Sequence, residues 1–172
     1  MQGILETERI YLREMTDEDF DDLAKVIHGR DGLAPSEAYV HKWIDWCKSS
    51  YAVNGFGHYA VVLKSTGEMI GSAGISMQWI DDAWRPEIGY HLRKDYHRQG
   101  LGKEVAAAIR DYYFSHFEGD DIYSYMDQDN LASYKTAESI GMSYLHLYVA
   151  KDGSLCRVYR LTREEWEKKY SV

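Results

Sequence analysis

Tyr96-His97-Arg98-Gln99-Gly100-Leu101-Gly102-Lys103-Glu104 sits where an alternating, strand-like segment gives way to a strongly periodic helical one. In the helical segment Leu101, Val105, Ile109, Tyr112 and Tyr113 recur at three and four residues, as one face of a helix requires. The first four backbone N–H groups of a helix have no internal partner. The other well-marked helices of the chain open on Thr, Ser or Asn, whose side chains can accept from those donors, whereas this one opens on Gln-Gly-Leu-Gly. Its amides are left for another acceptor, and an anion is the natural occupant. Gly100 and Gly102 carry no Cβ, so a phosphate can approach the main chain closely. Arg93, Lys94, Arg98 and Lys103 crowd the same region against Asp95 and Glu104. A glycine-turned helix start with a solvated basic face would use the same residues, so the loop alone leaves both readings open. It is not a P-loop, because no Gly-Lys-Ser/Thr completes it. It fits a dinucleotide fingerprint poorly, because the third glycine is absent and a run of three strands precedes it.

Working outward, Arg9-Ile10-Tyr11-Leu12-Arg13 alternates and predicts a strand. Thr16 opens a helix with the stripe Phe20, Leu23, Ala24 and Ile27, and acidic Asp17, Glu18 and Asp19 suit its first turn. Pro35-Ser36-Glu37 starts a second helix with the stripe Tyr39, Val40, Trp43, Ile44 and Cys47. Strands are predicted at 57–63 and 69–79, joined by the turn-forming Lys64-Ser65-Thr66-Gly67-Glu68, and at 85–93. After the helix at 100–117 come a strand at 122–126 and a helix from Asn130 to Ile140, stopped by Gly141. A hairpin at 143–149 and 155–161 turns at Lys151-Asp152-Gly153, and Thr162-Arg163-Glu164-Glu165 is a capping box for a terminal helix. The order β-α-α-β-β-β-α-β-α-β-β-α predicts an α+β fold. Its sheet is mixed, mostly antiparallel and twisted, with six to seven strands and helices on both faces.

The chain has 172 residues, enough for one compact domain spanning 1–172. With 45 % hydrophobic and 28 % charged residues it can bury a core without disulfides or metals, and disorder is not expected. Cys47 and Cys156 show no metal or redox spacing and are expected as two reduced, partly buried thiols. A net charge of −8 argues against general nucleic-acid binding, which needs a basic face. The start Met1-Gln2-Gly3-Ile4-Leu5-Glu6 lacks a basic segment followed by an apolar one, and no apolar run approaches the ~18 residues of a membrane span. A cytoplasmic protein with no membrane partner is expected.

Several weaker motifs then fall in order along the chain: Leu5-Glu6-Thr7-Glu8-Arg9-Ile10-Tyr11-Leu12-Arg13, Glu87-Ile88-Gly89-Tyr90, Gln99-Gly100-Leu101-Gly102, Asn130-Leu131-Ala132-Ser133 and Glu138-Ser139-Ile140-Gly141-Met142. Together they make the chain resemble the GCN5-related N-acetyltransferases, in the branch that includes ribosomal-protein N-terminal acetyltransferases. The resemblance spans nearly the whole chain. It implies the acyl-CoA N-acyltransferase fold, acetyl-CoA as cosubstrate, and a small-molecule amine or peptide N-terminus as acceptor. It also implies that the CoA pyrophosphate sits on the backbone amides of Arg98, Gln99, Gly100, Leu101, Gly102 and Lys103. The pantetheine arm would pair with the strand ending in His91 and Leu92, with Asn130 and Ser133 on its other side. The sequence leaves the oligomeric state open; many relatives pair, so a homodimer is admitted. Two positions depart from the family pattern. His97 stands where Gln or Arg usually begins the loop, and Ala137 stands where many members carry a tyrosine as general acid.

Acetyl transfer needs a base for the amine proton, a backbone donor for the carbonyl oxygen and, modestly, an acid for the thiolate. Glu87 is the candidate base, acting directly or through water, because it lies on the strand beside the cofactor and interrupts an apolar pattern. A merely exposed strand carboxylate or salt-bridge partner is the alternative. The N–H near Leu92 is the candidate donor to the carbonyl oxygen, and Ser133 and Tyr134 are candidate acids in place of Ala137. The resemblance implies that Trp43, Trp46, Trp79 and Trp84 lie in segments that wall the acceptor side, with a core role as the alternative for Trp43 at its helical spacing. Asp81 and Asp82 read as solvated turn residues, with attraction of a cationic acceptor as the alternative. His91 and His97 are expected to line the cofactor cleft. Two competing classes are a non-catalytic acyl-CoA-binding module, motivated by Ala137, and a nucleotide-binding protein using the glycine loop.

Overall fold

A computed structural model describes residues 3–27 and 34–170; the reading of Met1 and Gln2 lies outside them. The described residues form one eight-stranded sheet flanked by five α-helices. In chain order these are β1 (Leu5–Glu6), β2 (Ile10–Arg13), α1 (Phe20–Val26), α2 (Glu37–Asn54), β3 (His58–Leu63), β4 (Met69–Ile80) and β5 (Ala83–Leu92). There follow α3 (Leu101–His116), β6 (Asp121–Asp127), α4 (Leu131–Ser139), β7 (Ser143–Val149), β8 (Leu155–Thr162) and α5 (Arg163–Tyr170). The expected α+β class holds. The strand count of six to seven becomes eight because Leu5 and Glu6 pair with Leu12 and Tyr11. A strand that short has too few residues for any alternation to register in the sequence.

The order across the sheet is β1-β2-β3-β4-β5-β6-β8-β7. Every neighbouring pair is antiparallel except β5 and β6, which run parallel and share a single registered rung, Glu87 opposite Tyr123. The turn between β4 and β5 has Asp81 and Asp82 at φ 51° and 56°. This is the two-residue hairpin geometry that aspartate tolerates, as the turn reading required.

Alternation along the strands divides the core. Tyr59, Val61, Ala73, Ile75 and Ile88 face α3 and α4, meeting Leu101, Val105, Ile109, Ala137 and Ile140. Ala60 and Met69 belong to the other cluster, with Leu23 and Val26 of α1 and Val40, Ile44 and Cys47 of α2. Helices therefore cover both faces. Fully buried side chains such as Val105 and Ile109 each contribute about 1.5–3 kcal/mol before entropic costs. Tyr112, expected in the α3 stripe, instead stacks half-buried on His116 at 4.4 Å, and Phe114 takes its place in the core. Both cysteines are free and buried, and burial pushes the Cys47 thiol up to about 12.

Ser36 caps α2 by accepting from the Tyr39 N–H at 3.2 Å. Replacing it with alanine removes that acceptor. Ser36→Ala is expected to destabilise the fold by about 1 kcal/mol, read as a fall of about 2–4 °C in Tm by calorimetry; an unchanged Tm would contradict the capping role.

Candidate active site

The pleat that sends apolar residues of β4 and β5 toward α3 sends a different set toward α2. On β4 these are Ser72, Gly74 and Ser76; on β5 they are Glu87, Gly89 and His91; on β3 it is His58. The registers align them in rungs, with His58 opposite Gly74, Gly74 opposite Gly89, Ser72 opposite His91 and Ser76 opposite Glu87. His58, Ser72, Ser76 and Glu87 are all buried. Gly74 is obligatory, because a Cβ there would lie 1.9 Å from the Gly57 carbonyl oxygen. Such a row of polar and minimal side chains inside a sheet creates room rather than packing.

Glu87 is the most perturbed carboxylate of the row. Ser76 Oγ donates to its Oε2 at 3.2 Å, and Gln78 Nε2 donates in turn to Ser76 Oγ at 3.0 Å. Burial pushes the Glu87 pKa up to about 8, overcoming the Ser76 hydroxyl and the Tyr125 main-chain N–H, which favour the anion. The alternative of an exposed or salt-bridged carboxylate is thereby set aside: Glu87 is buried and has no ion-pair partner among the described residues.

Beyond Glu87, β5 and β6 diverge. The Arg93 N–H donates to the Ile70 carbonyl at 2.9 Å. By alternation, the main-chain groups of Leu92, Tyr90 and Ile88 then turn away from β4 toward β6. Two contacts agree with this. Ser124 Oγ donates to the Ile88 carbonyl at 3.4 Å, and His97 Nε2 donates to the Leu92 carbonyl at 2.8 Å. The divergence leaves a notch lined on one side by main-chain polar groups.

At the mouth of the notch lies the entry to α3. Gly100 is its N-cap at φ 79°, with no side-chain hydrogen bond to the helix, and Arg98 also adopts positive φ, 61°. The first intrahelical bond runs from the Glu104 N–H to the Gly100 carbonyl at 3.0 Å, so the amides before it have no helical acceptor. Glu104 does not cancel this local field. Arg9 holds it at 2.6 Å, Thr7 Oγ1 donates to it, and its carboxyl stays below the usual range. The basic cluster is smaller than the sequence suggests. Arg93 is tied to Glu68 and Asp95 and leaves Lys94, Arg98 and Lys103 to face the cleft.

Two cavities result. One, about 500 Å³, is lined by Leu92, Lys94, Tyr96, His97, Arg98, Gly100, Gly102, Lys103 and Thr136. The other, about 780 Å³, is lined by Tyr39, Lys42, Trp43, Trp46, His58, Ser76, Glu87 and Gly89 on one side. Ser124, Asp127, Asp152, Ser154 and Cys156 line it on the other. Tyr90, His91, Asn130 and Ser133 line both, so the cavities join there.

Most of the residues singled out in the sequence are brought together here. Gln99, Leu101 and Tyr134 line neither cavity. Leu101 is buried in the core. Gln99 accepts from Arg9 through its carbonyl at 2.9 Å and donates to the Asp95 carbonyl. The Tyr134 ring carries the Arg157 guanidinium at 4.8 Å. The Asn130 side chain caps α4, its Oδ1 accepting from the Ser133 N–H at 3.1 Å. Trp79 and Trp84 do not wall the cavity. They meet each other at 5.6 Å by the β4–β5 turn, where Asp81 accepts from His146. Their closeness to that turn in sequence carried them away from the notch. Trp43 and Trp46, on α2, do line it. Sequence reasoning missed Tyr90, whose hydroxyl donates to the Ser133 carbonyl at 3.3 Å, and the His58–Ser72–Ser76 row.

The fold that carries this arrangement has counterparts among known proteins. The Acetyltransferase (GNAT) domain family matches residues 9–143, and the chain belongs to this family. The Bacillus subtilis (strain 168) protein YkkB is 32 % identical over 148 residues, 81 % of this chain and 85 % of YkkB. Among solved structures, a GnaT-family acetyltransferase of Bordetella pertussis matches with a TM-score of 0.81 at 18 % identity, covering 93 % of this chain and 99 % of that one. The aminoglycoside acetyltransferase AAC(6')-Ib in complex with coenzyme A and kanamycin matches with a TM-score of 0.75 at 21 % identity, covering 93 % and 98 %. At those identities the two structures share the fold. No helix among the described residues is long and apolar enough to cross a membrane.

Proposed function

We propose that residues 1–172 form a single N-acetyltransferase domain that moves an acetyl group from acetyl-CoA to a primary amine by direct transfer in a ternary complex. The observation that carries this reading is the junction of two cavities. One opens on bare amides and basic side chains, and the other holds a buried carboxylate whose pKa is near 8. Kinship with a family named for acetyl transfer, and a structural neighbour that binds coenzyme A and an amine-bearing antibiotic, support it. The acceptor class is a small-molecule amine or a peptide N-terminus, and a cytoplasmic setting suits that chemistry.

The glycine entry fits a diphosphate. Its bare amides are flanked by Arg98 and Lys103, which line the cavity and make no ion pair among the described residues. Acetyl-CoA, when bound, supplies an activated thioester. Leu92 and Tyr90 then offer main-chain groups to the pantetheine arm, and a backbone N–H in the notch stabilises charge developing on the carbonyl oxygen. Asn130 and Ser133 border the arm from α4. Glu87, on the acceptor side, takes the amine proton. Ser133 is the hydroxyl at the junction that can protonate the departing sulfur; Tyr134 stands aside from it.

A second reading, a non-catalytic acyl-CoA sensor, is favoured by Ala137, which is buried at the position where the family resemblance implies a tyrosine. Mass spectrometry of the protein with acetyl-CoA and a panel of primary amines and free-N-terminus peptides separates the two. Acetylated product matched by CoA release is expected. CoA release without any acylated amine leaves only hydrolysis or sensing.

A further inference from the structure

His58 has no role in the scheme above, yet it occupies the same face as Glu87, two strands away. It is 3 % exposed, and its ring is walled by Trp46 at 5.4 Å and Trp43 at 5.9 Å from α2, with His91 of β5 at 6.3 Å. On β4, Ser72 Oγ lies 3.5 Å from Nδ1, at the outer limit of a hydrogen bond. Among the described residues no hydrogen bond engages Nε2. His58 lines the larger cavity, so this ring nitrogen is open to a partner that enters it.

The rung explains where Nε2 points. His58 lies opposite Gly74, and Gly74 opposite Gly89, so with two glycines beside it the imidazole reaches across β4 to β5. A Cβ built on Gly89 would stand 2.9 Å from both Cε1 and Nε2 of His58 and 3.2 Å from Oε2 of Glu87. The two polar atoms thus flank the space just above the Gly89 Cα. Any other residue at 89 would put carbon between them.

We propose that His58 is a positioning residue for the acetyl transfer described above, holding with Glu87 a single water over Gly89 through which the amine loses its proton. The inference rests on that functional reading. The amine nitrogen's lone pair forms the bond to the acetyl carbon, and the carbon–sulfur pair departs with sulfur. The nitrogen's proton passes to the water, which releases one of its own to the Glu87 carboxylate. Nε2 accepts the water's other hydrogen and fixes its orientation. Burial keeps His58 near a pKa of about 3, so the ring stays neutral and leaves the proton to Glu87.

The test compares the wild type with His58→Phe, His58→Gln and Gly89→Ala. His58→Phe keeps a flat ring between Trp43 and Trp46 and removes a buried polar atom, so folding is retained. Gly89→Ala is an independent probe of the same point. His58→Phe and Gly89→Ala are expected to lower kcat by about 10- to 100-fold with the KM for acetyl-CoA unchanged. The rate in mixtures of light and heavy water should trace a bowed curve for the wild type, with two protons in flight, and a straight line for those variants. His58→Gln, which can return a polar atom near the Nε2 position, should recover part of the rate. Wild-type-like turnover in both His58→Phe and Gly89→Ala, or a straight line already in the wild type, overturns the relay. If the wild type acetylates no amine at all, the acetyltransferase reading fails and the relay falls with it. Product formation with the same bowed curve in every variant overturns the relay alone.

Discussion

Gly100→Glu is expected to abolish measurable binding of CoA and acetyl-CoA by titration calorimetry while the protein still melts cooperatively. Gly100 sits at φ 79°, where a side chain costs roughly 1–2 kcal/mol of backbone strain. A Cβ there would meet nothing nearer than Arg9 Nη2 at 3.4 Å, so the fold can accept it. The ligand cannot. The introduced carboxylate would hang over the unsatisfied amides at the start of α3 and occupy them from within the chain. Two like charges about 4 Å apart repel by about 4 kcal/mol at an effective dielectric of 20, roughly a thousandfold in affinity. Gly100→Ala carries the same strain without the charge and is expected to lose far less. Unaltered affinity in Gly100→Glu would show that the diphosphate lies elsewhere.

Glu87→Gln is expected to lower kcat by about 10²-fold or more with little change in the KM for acetyl-CoA. The amide keeps the shape beside Ser76 but cannot accept the proton. The pH dependence gives a second, independent reading. Glu87 must be ionised to act, so wild-type kcat/KM should rise with pH and level off above about 8, a limb missing from the variant. Stability should show the reverse trend. The folded chain keeps the Glu87 proton up to about 8, whereas the unfolded chain releases it near the ordinary value of 4.5. Between those values the folded state binds more protons. The stabilisation is whole below about 4.5 and fades as pH rises toward 8. Melting temperatures across that window should fall less steeply in Glu87→Gln than in the wild type. Equal slopes would mean that Glu87 is already ionised in the fold.

Much of this was legible in the chain itself. The glycine entry to α3 announced itself because its residues are consecutive, and Gly100 and Gly102 signal backbone geometry directly. The turn at Asp81 and Asp82 was readable for the same reason. What escaped required knowing register. Arg93 looks like part of a basic cluster until β4 brings Glu68 beside it. Trp79 and Trp84 look like cavity walls until the hairpin carries them to its far tip. His58, Ser72, Ser76 and Gly89 come from three strands, and only pairing places them on one face. Their signal was the recurrence of small and polar residues, Ser72, Gly74 and Ser76, on a strand otherwise fit for the core.

The lone rung between Glu87 and Tyr123 also bears on how the molecule holds together. Ladder pairing is thin between β1–β5 and β6–β8, and side chains make the join instead: Ile80, Tyr123 and Val158 pack together across it, and Arg85 lies over the Tyr123 ring. Helix α3 adds a second join, touching β4 and β5 on one side and α4 and α5 on the other. The helix proposed to take the diphosphate at its first turn is thereby also one of the two braces between the halves, so a cavity cut into its buried face should loosen the seam as well as the fold.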